Sequence, residues 1–316
     1  MFQYLDVVSK IMRFGVDRPD RTGTGTRALF GEPMLFNLEN GFPMVTTKQM
    51  SFRSSLAELL WFLAGDSDER NLRKLGCRFW EGNAYADYWL PKARFQGDAG
   101  RIYGVQWRNW RSVFSRRILD VELPIWLFPE VVEVDQLAEA IRKIENTPWD
   151  RRLVVSAWNP GEFSRMCLPP CPMAFQFFVS PAPRLGFTGR LSLMMYQRSC
   201  DMFLGVPYNI SSEALLLSLV AQFTRLQPYE LKIILADAHI YHNHFEQVQL
   251  QLQREPYPLP RLWIDPSIKS LDGLVDRYRW ILRQVNKGAK PGEYLDRVAH
   301  LDGYQSHPAI KAPLAV

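Results

Sequence analysis

Four cysteines in 316 residues are too few for the disulfide framework of a small secreted scaffold, and a chain of this length can bury a large core without one. Cys167 and Cys171 are spaced CxxxC, but no second pair joins them, so a zinc site is weakly supported. No apolar run approaches the ~18 residues that crossing a bilayer requires, and no membrane span is expected. The opening Met1-Phe-Gln-Tyr-Leu-Asp lacks the basic stretch and apolar run of a leader. Reduced thiols and a cytoplasmic setting are therefore the expectation. Basic residues form no uninterrupted block: the densest group, Arg111 to Arg117, is broken by Val113 and Phe114. This argues against a polynucleotide-binding arm. The net charge of +5 is compatible with nucleic acid and equally with small anionic substrates. Low-complexity sequence and Gly/Ser-rich linkers are also missing, which leaves disorder and domain division without support.

What the chain does have is an apolar fraction of 47% with aromatics at 13%, enough for one substantial core. Helical spacing is expected over Tyr4 to Arg13, Ser54 to Ala64, Gln136 to Ile144, Ser212 to Leu226 and His244 to Leu252. Strands are expected over Ala28 to Leu38, Leu153 to Trp158, Met173 to Val179, Leu191 to Gln197 and Glu230 to Leu235. Mixed elements without a linker indicate a single α+β domain over residues 1–316. The tail from Lys311 to Val316 is apolar, with no polar fade-out. It either packs as structure or closes over something.

Four places could carry chemistry. Cys171 follows Pro169 and Pro170 at a strand entry, where stiff backbone would present a thiol. A buried inert cysteine is the plainer reading. A nucleophile needs a neighbouring cation to form the thiolate. Arg198 and Ser199, with Asp201 beside them, make an anion site of donors in a planar fork plus a hydroxyl. Arg151 with Arg152, and Arg21, give further cationic sites at element edges; together they suggest a phosphate. His239, His242 and His244 could be read as a metal cluster but match no common zinc pattern, and bonding of His239 and Tyr241 to a sugar hydroxyl is at least as natural. Glu58 stands alone in an apolar helix. Burial would raise its pKa toward a value useful for moving protons, unless it forms a structural salt bridge.

The motifs Arg21-Thr-Gly-Thr-Gly-Thr26, Phe42-Pro-Met-Val-Thr-Thr-Lys48, Glu58-Leu-Leu-Trp-Phe-Leu63, Tyr103-Gly-Val-Gln-Trp-Arg108, Asp150-Arg-Arg152, Leu168-Pro-Pro-Cys171, Tyr196-Gln-Arg-Ser-Cys-Asp-Met-Phe-Leu-Gly205, Pro207-Tyr-Asn-Ile210, Asp237-Ala-His-Ile-Tyr241 and Lys311-Ala-Pro-Leu-Ala-Val316 resemble, in order along the whole chain, those of folate-dependent thymidylate synthases. The resemblance implies a methyltransferase with a mixed β-sheet flanked by helices, the sheets packing back to back in a homodimer. Cys171 would add to C6 of dUMP, and 5,10-methylenetetrahydrofolate would serve as co-substrate without a metal. Arg21, Arg198 and Ser199 would hold the phosphate, with Arg151 and Arg152 arriving from a second subunit. Arg198 would also lower the pKa of Cys171. His239 and Tyr241 would bond the 3′-hydroxyl. Glu58 would organise the proton relay, with Tyr103 and Asp201 beside the chemistry. Trp80, Leu168, Asp201, Gly205 and Ala315 would contact the folate, and Lys48 its glutamate tail. Val316 would close the ternary complex.

Asn209 would read the base. Its amide both donates and accepts, matching O4 and N3–H of uracil, whereas the cytosine hydroxymethylases of the superfamily have Asp there. The chain departs from the family pattern at Pro172, where histidine is usual, at Glu213, where tyrosine is usual, and at Ser51. Segments 84–100 and 112–136 find no counterpart. Two outcomes then compete: hydride transfer to give dTMP and dihydrofolate, or water attack to give 5-hydroxymethyl-dUMP. Trp80 and the intact tail favour hydride transfer.

Overall fold

Strand residues that alternate between buried and open set the frame of the fold. The computed structural model describes residues 1–114, 130–181 and 189–313. Strands run β1 (Val16–Arg18), β2 (Thr26–Asn37), β3 (Trp110–Phe114), β4 (Glu130–Val134), β5 (Val154–Ser156), β6 (Pro172–Ser180), β7 (Arg190–Asp201), β8 (Gln227–Tyr241), β9 (Arg261–Ile264) and β10 (Ala299–Asp302). Six of them form one mixed sheet in the order β1-β2-β8-β7-β6-β5. Only β7 and β8 are parallel, and the Gly205–Thr224 helix makes the crossover between them, as a parallel pair demands. β3 pairs with β4, and β9 with β10, both antiparallel and apart from the main sheet.

One face of the sheet is sealed. The Gly205–Thr224 helix is buried along most of its length, as expected for a helix apolar on every side. The Phe2–Phe14 helix covers β2 and β8, and the Phe52–Leu63 helix packs on the outside of the Gly205–Thr224 helix. The opposite face is open, with Phe178 64% exposed and Val154, Met194 and Tyr196 also exposed. An apolar sheet face of this extent is not how a solitary antiparallel-type sheet usually meets water.

The α+β class and single-domain architecture expected from the sequence are found. Element bounds differ in instructive ways. The helix expected from Ser212 starts at Gly205, and the strand expected to stop at Leu235 continues to Tyr241. β7 likewise runs on to Asp201, so Arg198, Ser199 and Asp201 lie within the strand. Polar residues in these runs hid the strand ends, because they interrupt the apolar alternation by which a strand is read. The short Glu81–Ala84 helix leads into segment 84–100, which found no counterpart among the motifs, and the 3-10 turn Leu90–Lys92 lies within it. Trp89, fully inside, donates to the Asp98 carbonyl at 2.6 Å.

Candidate active site

Register places the site. Asp201 of β7 lies opposite His239 of β8, and Ser199 opposite Asp237. Thr26 of β2 lies opposite Tyr241. On the other side, Pro172 is paired with Gln197, and the register slips between Pro172 and Ala174. A bulge of this kind re-aims the chain at a strand end. The residue it re-aims is Cys171.

Of the four cysteines, only Cys171 is not buried. Burial pushes the Cys167 thiol up to about 12 and those of Cys77 and Cys200 further still, which makes them inert near neutrality. Cys171 is fixed through its backbone: its N–H donates to Tyr103 Oη at 2.8 Å, and its carbonyl accepts from the Arg198 N–H at 2.9 Å. The Arg198 guanidinium donates from Nε to the Pro170 carbonyl and from Nη2 to the Pro169 carbonyl, both at 2.8 Å. It also lies over the Trp158 ring, 5.2 Å from its centroid. Arg198 therefore clamps the two-proline loop from the next strand, a positioning role that the sequence did not suggest.

Behind Cys171 stands an aromatic and acidic wall. Tyr103 stacks on Phe62 at 5.3 Å and meets Trp80 edge-on at 5.2 Å. Gly104 allows this approach, since a Cβ there would fall inside the Phe62 backbone. Burial, followed by the charge of Cys171, holds the Tyr103 phenol well above its ordinary value. Trp80 is 5% exposed, and its indole Nε1–H donates to Glu58 Oε1 at 2.7 Å. Glu58 forms no salt bridge among the described residues. Burial pushes its carboxyl up to about 7, against the opposing pull of the Trp80 hydrogen bond. A carboxyl poised there can both give and take a proton at neutral pH.

The third side is polar. Asn209, on the first turns of the Gly205–Thr224 helix, accepts on Oδ1 from Gln197 Nε2 at 3.0 Å. Gln197 is buried and also donates to the Ser199 carbonyl at 3.1 Å. This fixes the Asn209 amide while leaving its NH2 group and a second oxygen lone pair for a ligand. Gln197 was quoted in the sequence motif without a role. Its buried place in β7 is what identifies it, and strand parity alone could have shown it.

Asp201 accepts on Oδ1 from the Phe203 and Leu204 N–H groups at 3.0 and 3.1 Å. Tyr4 anchors this turn by donating to the Met202 carbonyl at 2.8 Å. His239 lies with Nδ1 3.0 Å from the Asp237 carbonyl and 3.3 Å from its Oδ1. Burial alone would lower its pKa, but the Asp237 hydrogen bond and the charges of Asp201 and Asp237 outweigh that and raise it. Tyr241 meets the His239 ring edge-on at 5.3 Å. Arg21 is exposed at the tip of a turn folded on Asp20, which accepts from the Thr22 and Gly25 N–H groups at 2.9 and 2.7 Å. Gly25 has φ +77°, and a Cβ there would meet the His242 ring. The charge of Arg21 reaches Tyr241.

Arg151 and Arg152 are exposed beside the edge strand β5, and Arg152 leans on Asp150 at 3.0 Å. Lys48 is buried, with Nζ donating to the Phe203 carbonyl and lying over that residue's ring; desolvation brings its pKa down to about 8. Leu168 is half-buried against the core, and Gly205 lies beside Asp201. The tail is pinned as far as Pro313, whose carbonyl lies 2.7 Å from His244 Nε2. Ala315 and Val316 lie outside the described residues. No metal-holding group of His, Cys, Asp and Glu occurs among the described residues, and no described helix is long and apolar enough to cross a membrane.

A family model described as "Thymidylate synthase" matches residues 2–316.

Proposed function

The chain belongs to the thymidylate synthase family, a family of one-carbon transferases that use a folate co-substrate and bind dUMP, and from that premise we propose that it methylates dUMP at C5 to give dTMP. The observation that carries this reading is the singular state of Cys171. It is the one thiol left open, held between Tyr103 and Arg198 at the end of a strand. Its sulfur would add to C6 of the uracil ring, leaving C5 nucleophilic. Glu58, poised near neutrality and steadied by Trp80, would supply and recover the proton at the pyrimidine carbonyl. Asn209, fixed by Gln197, would read O4 and N3–H. Mismatched donors and acceptors at such an amide cost ~10⁴-fold or more, which favours uracil over cytosine. His239 and Tyr241 would take the 3′-hydroxyl.

Arg21, Arg198 and Ser199 would bind the phosphate from within the chain. Arg151 and Arg152 would join them from a second copy: they lie beside the bare apolar sheet face, and a self-complementary face of that kind suits an isologous dimer. The acceptor set fits a reduced folate, since Asp201 keeps Oδ2 for a pterin N–H, with Leu168, Gly205 and Trp80 nearby. When bound, 5,10-methylenetetrahydrofolate supplies the one-carbon unit and the hydride. Tail residues 311–316 would exclude water from that step. Water in place of hydride would instead yield 5-hydroxymethyl-dUMP. The dry wall of Phe62, Trp80 and Tyr103 favours hydride transfer. Incubation with dUMP and methylenetetrahydrofolate, followed by mass measurement of the nucleotide, tests this directly. A gain of one CH2 supports methylation; a hydroxymethyl product overturns it while sparing the site.

A further inference from the structure

Glu213 is a carboxylate with no part in the chemistry above. It lies on the Gly205–Thr224 helix one turn beyond Asn209, on the same stripe. The residue is 5% exposed, and its Oε2 has no hydrogen-bond partner among the described residues. Glu58 lies on the Phe52–Leu63 helix, which packs against this one, and its charge reaches Glu213. The two helices are joined at this level by the Ser55 and Ser211 hydroxyls, 2.7 Å apart. The other titratable groups that sense Glu58 are Cys77 and Tyr208, and burial pushes both up and so keeps them neutral. No cation pairs with either carboxylate among the described residues. Two neighbouring carboxylates without a cation, one buried and one half-buried, do not readily ionise together; at least one proton stays with the pair.

Resting on the reading of Glu58 as the proton relay, we propose that Glu213 is a positioning and proton-holding residue behind Glu58, keeping a second proton in reserve while Glu58 carries the first. When Glu58 passes its proton to the pyrimidine carbonyl, the Glu213 proton moves to the vacated Glu58 oxygen and the negative charge moves to Glu213. When the carbonyl re-forms, its proton returns to the pair, so none is consumed. In agreement, burial places the Glu58 carboxyl at about 7, and burial with the Glu58 charge places that of Glu213 at about 8. Such values belong to the pair and titrate as two linked steps.

Infrared difference titration of the nucleotide-free protein, over about pH 5 to 9, tests the pair independently of any reaction. The protonated-carboxyl band should fade in two steps. Glu213→Gln should remove the upper one. Glu58→Gln should move the Glu213 step down by about half a pH unit or more, and this variant carries the test if Glu213→Gln fails to fold. In turnover, Glu213→Gln should keep KM for dUMP within about threefold while kcat falls about tenfold and its alkaline limb moves. Glu213→Asp should restore part of that loss. A Glu213 step that survives Glu213→Gln, or ignores Glu58→Gln, overturns the pair. A wild-type pH–rate profile in Glu213→Gln overturns the reserve role. Absence of turnover with dUMP in the wild-type protein would sink the functional reading alone, because the titration still decides the pair.

Discussion

The two sides of the candidate site are built on opposite principles. On one side Glu58, Trp80, Tyr103 and Glu213 are packed among rings and helices. On the other, Arg21 stands exposed on a turn, and in the dimer proposed above the exposed Arg151 and Arg152 of a second copy would join it. The dry side holds protons, because desolvation moves carboxyl pKa values into the working range. The wet side holds charge, because arginines steering a phosphate need reach and stay ionised anywhere. Cys171 sits between them, at the mouth of β6.

Removing the atom between the two sides should have the largest effect. Cys171→Ser is expected to lower turnover by roughly 10⁴-fold or more, with dUMP binding near normal by equilibrium dialysis; unchanged turnover would rule out this nucleophile. Next comes the dry side. Glu58→Gln should reduce kcat by about 10²–10⁴-fold with little change in KM, read from steady-state kinetics. A rise in KM alone would show Glu58 to be a binding residue.

The wet side should respond in the other parameter. Arg151→Ala with Arg152→Ala should raise KM for dUMP by about tenfold, an effect that shrinks at high salt. If these arginines serve a partner's site, mixing that variant with Cys171→Ser should return part of the turnover to the wild-type KM, since one mixed site has every residue. A mixture whose KM stays as high as that of the arginine variant would argue against shared sites.

The smallest effect is on stability, and its sign separates the sides again. Glu213 has a folded pKa raised from the ordinary 4.5 to about 8. Its favourable share of stability is therefore complete below about pH 4.5 and is lost as pH rises through 8. Glu213→Gln should melt higher than wild type at pH 8 by several degrees and lose that advantage near pH 4.5. Equal melting curves at both pH values would mean that Glu213 is not buried as described.

Much of this was legible in the sequence. Cys171 after two prolines, Glu58 alone in an apolar helix, and the Arg198–Asp201 run all fall where spacing put them. The strand ends were not legible, because Arg198, Ser199, Asp201, Asp237, His239 and Tyr241 stand among the core residues Cys200, Ala238 and Ile240 and break the apolar alternation that marks a strand. Nor was the work of Arg198 on the proline carbonyls, which depends on β6 lying beside β7, or of Gln197 on Asn209, which depends on how the Gly205–Thr224 helix packs on β7. Glu213 was visible only as an odd residue in a helix. Its meaning required Glu58 beside it, and the two are far apart along the chain.

Trapping the bond at residue 171 is the most direct test. With 5-fluoro-dUMP and methylenetetrahydrofolate, the fluorine cannot leave C5 as the proton does, so the reaction should halt with nucleotide and folate both attached. Intact-mass measurement should show the protein heavier by both molecules, with the added mass mapping to the peptide that contains Cys171 and absent from Cys171→Ser. An adduct on Cys77, Cys167 or Cys200, or turnover of dUMP without any trappable adduct, would contradict the account.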